Sequence, residues 1–407
     1  NSPSGRSWQR LSLASGLSNP VQVVTSTLPT AIEANTNNND VKSAQAVTVP
    51  STINGRIESE ADIDCFVFEA KKGEKYTFEV MARRAGSALD PHLRILDASG
   101  KQLSLNDDFR RLKRLTQDSQ VENFSVPADG KYVIEVRDVH LRGGPRHVYA
   151  IRTTRATPYF ELFLDSDKTQ LSPGIHGAIF VRVERHNGFS GAIDLDVAHL
   201  PKGVTARCGR ILPTGTDGCI ILAAAADAKP DISNITVSGT EIQTAKAPTG
   251  PPLSNVARPM QETYMPGGGR NHWPVDTHAV NVGALSDIRS IQLSTQAVTL
   301  KPGASTTITV NFKRAPGFTK NVTLDVLFQH LGTVYGNSLP KGVTIDAAAS
   351  KTLITGKASQ GQIVLKAAKD APPVKNQQIA VMANISINFV MKATYSSSPL
   401  MVTVTKP

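Results

Sequence analysis

The sequence is poor in several features that mark common protein classes. Only three of its 407 residues are cysteine, and it has no Cys-x-x-Cys pair, which excludes a dense disulfide scaffold and the standard zinc knuckles. No apolar run approaches the roughly 18 residues that cross a membrane as a helix, the longest being the short stretch from Ile220 to Ala226. Long helical patterns are missing too. What remains are short runs of Val, Ile, Thr, Ser and Ala between Gly, Pro and Asn, a pattern typical of many short strands.

The charge balance is basic. Lys and Arg number 44 against 34 Asp and Glu, which gives a net charge of +10 and a sequence pI near 9.5. Such an excess favours acidic partners such as anionic polysaccharide, envelope polymer or nucleic acid. It is modest for this length and spread along the predicted strands and loops. We therefore expect it mainly to solvate the surface, with a charge-selective surface as the alternative.

The length suits two to four domains of about 100–150 residues each. The chain begins without Met, so we expect a processed or partial product, and residues 1–30 are predicted to be a tail or the last strand of an upstream module. Their one strand-like run is Val21-Gln22-Val23-Val24. From 31 to 155, regular alternation of apolar and polar residues predicts an antiparallel β-sandwich. Its turn signals are Lys71-Lys72-Gly73, Ala98-Ser99-Gly100 and Ala128-Asp129-Gly130.

The remainder of the chain contains an internal repeat. Leu171-Ser172-Pro173-Gly174 returns as Leu300-Lys301-Pro302-Gly303, Leu195-Asp196-Val197 as Leu324-Asp325-Val326, and Leu200-Pro201-Lys202-Gly203-Val204-Thr205 unchanged at Leu339 to Thr344. The offset is 129 residues for the first two pairs and 139 for the third, so we place a loop insertion at 330–337. Each copy has about seven short strands, as in an immunoglobulin-like (Ig-like) sandwich. We predict two tandem domains, at 156–286 and 287–407.

A segment rich in Pro and Gly interrupts the first copy at 242–274. The alternating run from Thr277 to Val282 follows it and resembles a final strand. We therefore interpret 242–274 as a long insertion before the last strand of the middle domain, and the alternative is an interdomain linker.

The first domain resembles the bacterial pre-peptidase C-terminal (PPC) family over nearly all of 31–155. The matching motifs are Gly55-Arg56-Ile57, Asp62-Ile63-Asp64-Cys65-Phe66, Phe68-Glu69-Ala70-Lys71-Lys72-Gly73, Leu89-Asp90-Pro91, Leu96-Asp97-Ala98-Ser99-Gly100, Asn106-Asp107-Asp108 and Pro127-Ala128-Asp129-Gly130-Lys131-Tyr132. The resemblance implies a jelly-roll-like sandwich and a non-catalytic appendage of secreted proteases or large surface proteins. The full expectation is an all-β chain of tandem β-sandwich modules, one PPC/jelly-roll-like and two Ig-like.

Some members of that family bind calcium, so the resemblance also implies a metal site. Carboxylate and amide oxygens are suitable calcium ligands. The residues implied are Glu33, Asn38, Asn39 and Asp40 from the opening stretch, with Asp62 and Asp64 from the Asp-x-Asp pair. The alternative is that these residues cap turns and a strand end. Calcium is the one cofactor the sequence suggests.

The cysteines allow one disulfide. Cys208 and Cys219 lie eleven residues apart across a turn, where neighbouring strands would bring them together in an oxidising compartment, or would leave them free. Cys65 lies in an apolar alternating strand, which predicts a buried, unreactive thiol.

Two polar segments are candidate binding surfaces. The basic run with Arg110, Arg111, Lys113 and Arg114 is expected on a loop, where it would grip an anionic polymer or be solvated. It lacks interleaved aromatics, so we do not expect nucleic acid. Within the Gly-rich insertion, Arg270, His272 and Trp273 would form a small recognition patch or dock onto a neighbouring domain.

The sequence contains no Gly-x-Ser-x-Gly or His-Glu-x-x-His motif, and its nine histidines are scattered. We therefore predict a non-enzymatic segment of a bacterial secreted or cell-surface protein, used in adhesion, envelope assembly or spacing. Its expected partners are other protein chains or cell-envelope polysaccharide. The alternative is a substrate-targeting accessory region of a secreted hydrolase whose catalytic domain lies upstream.

Overall fold

A computed structural model describes residues 5–34, 37–111, 114–213, 215–243, 250–265, 269–284, 286–330, 333–387 and 392–406. The chain forms two compact units: unit 1 comprises residues 1–158 with 186–188, and unit 2 comprises 159–185 with 189–407. Strands dominate both units, and the only helix in these ranges is a 3-10 turn at Arg83–Ala85. Within the same ranges, no helix is long and apolar enough to cross a membrane. The predicted all-β class is confirmed.

Unit 1 is built from short strands, ten of which form two five-stranded sheets. The strands are β1 Gly5–Gln9, β2 Ser12–Leu13, β3 Gly16–Leu17, β4 Val21–Thr25, β5 Thr30–Ile32, β6 Gln45–Ala46, β7 Ser51–Arg56, β8 Asp64–Ala70, β9 Lys75–Met81, β10 Pro91–Asp97, β11 Gln102–Asn106, β12 Phe109–Arg111, β13 Arg114–Thr116, β14 Gln120–Ser125, β15 Gly130–Asp138 and β16 Val148–Arg155. One sheet has the order β11-β10-β15-β8-β6 and the other β14-β9-β16-β7-β5. Their alternating apolar residues, such as Phe66 and Phe68 of β8, form a single core between the sheets.

The other strands of unit 1 pair outside those sheets, β1 with β4, β2 with β3 and β12 with β13. The predicted strand at Val21–Val24 is present as part of β4, and it pairs antiparallel with β1 along its whole length. The outward face of β8 is also covered, because Cys65 packs with Leu96 and Val133 in a small second cluster. Burial raises the pKa of the Cys65 thiol to about 12, consistent with an unreactive side chain.

Unit 2 contains two hydrophobic cores, one for each copy of the repeat. We call residues 159–286 the first copy and 287–407 the second copy. The strands of the first copy are β17 Tyr159–Leu164, β18 Lys168–Leu171, β19 His176–His186, β20 Ala192–Ala198, β21 Val204–Cys208, β22 Arg210–Ile211, β23 Asp217–Ala224, β24 Asp231–Ile242, β25 Ser254–Val256, β26 Arg258–Met265, β27 Gly269–Pro274 and β28 His278–Val282. Those of the second copy are β29 Ile288–Leu293, β30 Ala297–Leu300, β31 Ser305–Arg314, β32 Val322–Asp325, β33 Phe328–His330, β34 Thr333–Gly336, β35 Val343–Ile345, β36 Leu353–Ile354, β37 Gln360–Ala367, β38 Val374–Ile379, β39 Met382–Ser386, β40 Lys392–Ser396 and β41 Leu400–Val404.

The repeated residues occupy equivalent places in the two copies. Leu171 and Leu300 end β18 and β30, both are buried, and each strand runs parallel to the last strand of its own copy, β28 or β41. Leu195 and Leu324 are likewise buried in their respective cores. The shared sequence therefore encodes inward-facing positions.

The Pro- and Gly-rich segment of the first copy leaves and re-enters one sheet. The strand that follows it, β28, pairs with both β18 and β24. The segment is not a plain loop, since it contributes β25 beside β24 and the hairpin β26–β27. The 330–337 insertion, predicted as a loop, likewise contributes to a hairpin, β33–β34.

The two copies are joined through strands and side chains. A ten-stranded sheet includes β19 of the first copy and the hairpin β39–β40 of the second, which meet at the pair His176 and Ser396. Beside this pair, a separate apolar cluster contains Phe180, Cys219 and Ile221 from the first copy and Ala380 and Met382 from the second. We call this cluster the joint.

Hydrogen bonds close the edge of the joint. The Nε2 group of Gln378, which is 6% exposed, donates to the carbonyl oxygens of Arg207 at 2.9 Å and Cys219 at 3.1 Å. Arg182 pairs with Asp217 at 3.0 Å and donates to the carbonyl oxygen of Tyr335 at 2.5 Å. Buried backbone carbonyls thus find partners across the two copies, which removes the cost of leaving them unpaired.

Candidate metal centre

Three carboxylates converge at one end of unit 1. Glu33 follows β5, Glu58 lies two residues beyond β7, and Asp64 begins β8. One oxygen from each lies within 4.8 Å of the others. Because a calcium ion holds its oxygen ligands at about 2.3–2.6 Å, two ligands on one ion are separated by up to about 5 Å. The three carboxylates are therefore close enough to share one cation.

The local chain path explains why these residues meet. β5 runs parallel to β7, and the Glu33 amide continues this pairing by donating to the Asn54 carbonyl oxygen at 2.8 Å. The Oε2 atom of Glu33 then accepts the Arg56 amide hydrogen at 2.9 Å. The side chain is thereby held over the end of β7, close to the residues that follow it.

Gly55 is needed for this approach. It lies opposite Tyr149 of β16, and a Cβ atom at Gly55 would lie 2.3 Å from the Tyr149 hydroxyl and 2.7 Å from Glu33 Oε2. The buried Tyr149 hydroxyl donates to Asp64 Oδ2 at 2.6 Å. Only glycine leaves room for both groups.

The fourth member of the cluster is Asn38, which is fully buried. Its backbone carbonyl oxygen accepts the Cys65 amide hydrogen at 2.9 Å, and its side-chain Nδ2 group donates to Glu33 Oε1 at 3.4 Å. These bonds fix the loop after β5 against the start of β8.

Three buried oxygens of the cluster have no hydrogen-bond partner: Asn38 Oδ1, Glu58 Oε2 and Asp64 Oδ1. Leaving a buried acceptor unsatisfied is costly, and a hard divalent cation takes oxygen ligands of just these kinds. A donor set of three carboxylates and one amide oxygen is of the kind that calcium takes, and Glu33, Asn38, Glu58 and Asp64 would be the residues that hold it.

Burial, and after it the crowding of like charges, raises several pKa values in the cluster. Burial, together with the neighbouring Glu33, raises the pKa of Asp64 to about 9 and that of Glu58 to about 7. The pKa of Tyr149 is raised well above its ordinary value, first by burial and then by the charge of Asp64. A bound cation would offset the same repulsion.

The sequence-predicted ligands fall into two groups. Glu33, Asn38 and Asp64 meet in the cluster. Asp62 lies beside it, but both of its carboxylate oxygens accept amide hydrogens, from Glu58 at 2.7 Å and Ile63 at 3.0 Å, so it shapes the turn that presents Glu58.

The other two predicted ligands do not join the cluster. Asp40 caps its own turn by accepting the amide hydrogens of Lys42 and Ser43 at 2.8 Å, and these bonds lower its pKa, that from Ser43 most. Asn39 is exposed. For Asp40, the turn-capping alternative is the one that the structure contains.

Glu58 was missed by the sequence analysis because it lies outside the Asp-x-Asp motif. The available signal was the acidic run from Glu58 to Asp64, whose turn brings both ends of the run together.

The proposed disulfide is absent, since all three cysteines are free. Cys208 is paired with Ile220 across β21 and β23. Its side chain therefore leaves the sheet on the face opposite to that of Cys219, because successive residues in a strand point to opposite sides. Cys219 instead faces the joint, where burial raises its pKa to about 11.

The basic run forms a hairpin rather than a loop. Arg110 and Arg111 lie in β12 and Arg114 in β13, which pair antiparallel, whereas Lys113 lies outside the described residues. In the insertion of the first copy, Arg270, His272 and Trp273 all lie on β27.

That insertion contacts the insertion of the second copy. The His272 ring lies 4.9 Å from the Tyr335 ring, centroid to centroid, so the two added hairpins meet within unit 2. Trp273 is 53% exposed.

Comparison with known proteins gives one sequence relative. No family model matches the chain, so the resemblance of 31–155 to the PPC family stays a prediction. A stretch of 81 residues is 42% identical to part of a probable subtilase-type serine protease of Deinococcus radiodurans; it covers 20% of this chain and 10% of that protein. The match thus spans about a tenth of the relative's length.

Two of the solved structures with similarity align with this chain at low TM-scores. The D0-D1 domain of intimin is 11% identical, with 60% of this chain and 99% of that chain covered and a TM-score of 0.20. Domains 4–9 of the surface layer protein SbsC are 12% identical, with 84% and 47% covered and a TM-score of 0.23.

Proposed function

We propose that the chain is a non-catalytic segment of a bacterial secreted or cell-surface multidomain protein and acts in adhesion, envelope assembly or spacing. The observation that carries this proposal is the joint of unit 2. Buried apolar side chains and buried hydrogen bonds hold the two repeated sandwiches together. Such a pair resists bending, which suits a protein that holds a binding surface away from its anchor.

A pelleting assay with envelope preparations tests this proposal. The purified full chain should sediment with bacterial envelope material and release no peptides from casein. Proteolysis that a single point substitution abolishes would overturn the proposal, because it would identify an active site within this chain.

A second candidate is an accessory region of a secreted protease, and the observation that favours it is the 42% identical stretch within a subtilase-type protease. Under this proposal the chain would direct a catalytic domain to its substrate. The complete gene decides between the two: a subtilase domain encoded in the same protein supports the accessory role, and further sandwich domains alone contradict it.

In both candidates unit 1 carries a structural calcium ion at Glu33, Asn38, Glu58 and Asp64. Outside the cell calcium is abundant enough to fill sites with dissociation constants of about 10⁻⁴–10⁻³ M. The ion would supply no chemistry; it would neutralise the carboxylates and fix the loop after β5 to the start of β8.

A further inference from the structure

The second copy has an open groove that neither the metal centre nor the joint uses. Its volume is about 770 Å³, and it lies over β29, β31 and the start of β37, between the turns at 315–319 and 355–359. Cavities of this size hold small ligands or a few units of a polymer. Among the described residues, no Asp or Glu lines the groove.

The floor of the groove is a row of amide side chains on three neighbouring strands. Asn311 lies opposite Gln292 on one side and opposite Gln360 on the other. The Nε2 group of Gln360 donates to Asn311 Oδ1 at 2.9 Å, and all three residues are exposed. Each amide both donates and accepts hydrogen bonds, which is the capacity that sugar hydroxyl groups require.

Arg314 connects the two turns that border the groove. Its guanidinium lies 5.0 Å from the centroid of the Phe312 ring and 5.6 Å from that of Phe318. It also donates from Nε to the Ala358 carbonyl oxygen at 2.8 Å and from Nη1 to that of Lys320 at 2.7 Å. One side chain therefore ties both turns together and holds the Phe318 ring beside the amide row.

Positive charge is concentrated in the second copy, which carries this groove. Residues 287–407 contain 13 Lys and Arg, four Asp and no Glu, a net charge of +9 out of +10 for the whole chain. The first copy, 159–286, contains 10 basic and 12 acidic residues. The excess of basic residues therefore lies mainly in the second copy. The sequence had suggested that it is spread along the whole chain. Lys313 and Lys357 are exposed and line the groove itself.

We propose that this groove binds an acidic polysaccharide, with Lys313 and Lys357 pairing with its carboxylates and the amides of Gln292, Asn311 and Gln360 binding its hydroxyl groups. This inference rests on the proposed function and names the class of partner. A polysaccharide fits better than a nucleic acid, because single-stranded nucleic acids bind on several aromatic platforms. Among the described residues that line this groove there are two aromatic rings, and Phe312 is buried while Phe318 is half-buried.

Binding of the full chain to polygalacturonate at physiological salt tests the inference. Replacing both lysines, in K313Q/K357Q, should weaken binding about tenfold, because each exposed ion pair that is lost should weaken it about threefold. The matched control is K341Q/K369Q, which removes the same charge from exposed lysines outside the groove; it should weaken binding less than about threefold. The variant N311A/Q360A should also lose affinity although its charge is unchanged.

Several outcomes would overturn the inference. Equal losses in the two lysine pairs would mean diffuse attraction rather than a site, and equal binding of fully methyl-esterified polygalacturonate would mean that carboxylates are not recognised. Tighter binding of a single-stranded oligonucleotide would point to a different partner class. If polygalacturonate does not bind while the chain still sediments with envelopes, the groove assignment fails and the proposed function stands.

Discussion

The two copies of the repeat differ far more on their outer faces than in their cores. At positions 129 residues apart, the inward pairs Ile179 and Ile308, and Val181 and Val310, are buried in both copies. The outward pairs between them have diverged. They are Phe180 and Thr309, Arg182 and Asn311, and Glu184 and Lys313.

What covers each face explains the divergence. In the first copy the second copy packs on the outer face, so Phe180 is 3% exposed, whereas Thr309 at the equivalent position is half-buried. The face that carries Asn311 and Lys313 is open and forms the groove. Folding constrains the inward positions, and partners constrain the outward ones.

Removing the Phe180 ring at the joint should reduce the folding stability more than any other change considered for the two copies. Phe180 stacks on Phe328 at 5.7 Å between centroids, and Phe180→Ala should cost about 3–5 kcal/mol, as for other buried aromatic residues. Because the loss falls on the joint, urea unfolding should separate into two transitions for the two copies. Thr309→Ala is the control and should change stability by less than about 0.5 kcal/mol. A single transition with unchanged midpoint in Phe180→Ala would mean that the joint does not couple the copies.

Truncation of the repeated core leucines tests whether the copies are equivalent inside. Leu195→Ala and Leu324→Ala should each cost about 2–5 kcal/mol, the range for buried leucines. Leu195 is 5% exposed and Leu324 is 2% exposed. Because their burial is so similar, we expect the two losses of stability to agree within about 1 kcal/mol, measured by urea unfolding of the full chain. A difference of several kcal/mol would break the equivalence and show that one core relaxes around its cavity.

The difference between inward-facing and outward-facing positions also decides how much of the structure could be predicted from the sequence. Inward periodicity and the repeat predicted an all-β chain, because burial at every second residue leaves a local pattern. The joint could not be predicted, since Phe180 and Ile221 look like ordinary strand residues until the second copy is present. The possible disulfide between Cys208 and Cys219 was wrong for a related reason. The spacing of the two residues suited a bridge, but the strand register points their thiols to opposite faces of the sheet.

The metal centre was partly predictable. Glu33, Asn38 and Asp64 were implied by the family resemblance, whereas Glu58 enters only through the turn that Asp62 caps. Its role depends on tertiary geometry rather than on a motif.

Calcium should raise the stability of unit 1 and leave the stability of the two copies unchanged. At a hundredfold excess over the dissociation constant, a ligand bound only by the folded state adds about 2.7 kcal/mol of stability. We expect calorimetry with calcium and then with chelator to shift the transition of unit 1 and to leave that of the two copies unchanged.

Glu58→Gln provides the sharper version of that experiment. The substitution removes a ligand charge but also relieves repulsion, so the informative quantity is the difference between the calcium and chelator scans, which should vanish. Glu60→Gln changes an exposed carboxylate nearby and should keep the full shift. If both variants respond to calcium as the unchanged chain does, the ion does not bind at this cluster.

The smallest effect is expected at the repeated glycine that precedes Val204 and Val343. Gly203 and Gly342 have φ angles of +74° and +79°, where an L-residue costs about 1–2 kcal/mol. A Cβ atom would lie 3.2 Å from Ala228 Cβ in the first copy but 3.0 Å from both Cα and Cβ of Ala371 in the second. Gly342→Ala should therefore cost a few tenths of a kcal/mol more than Gly203→Ala, measured by urea unfolding. Gly317→Ala, at φ +76° with open space around it, measures the conformational cost alone; if it destabilises as much as Gly342→Ala, packing around this repeated turn does not distinguish the copies.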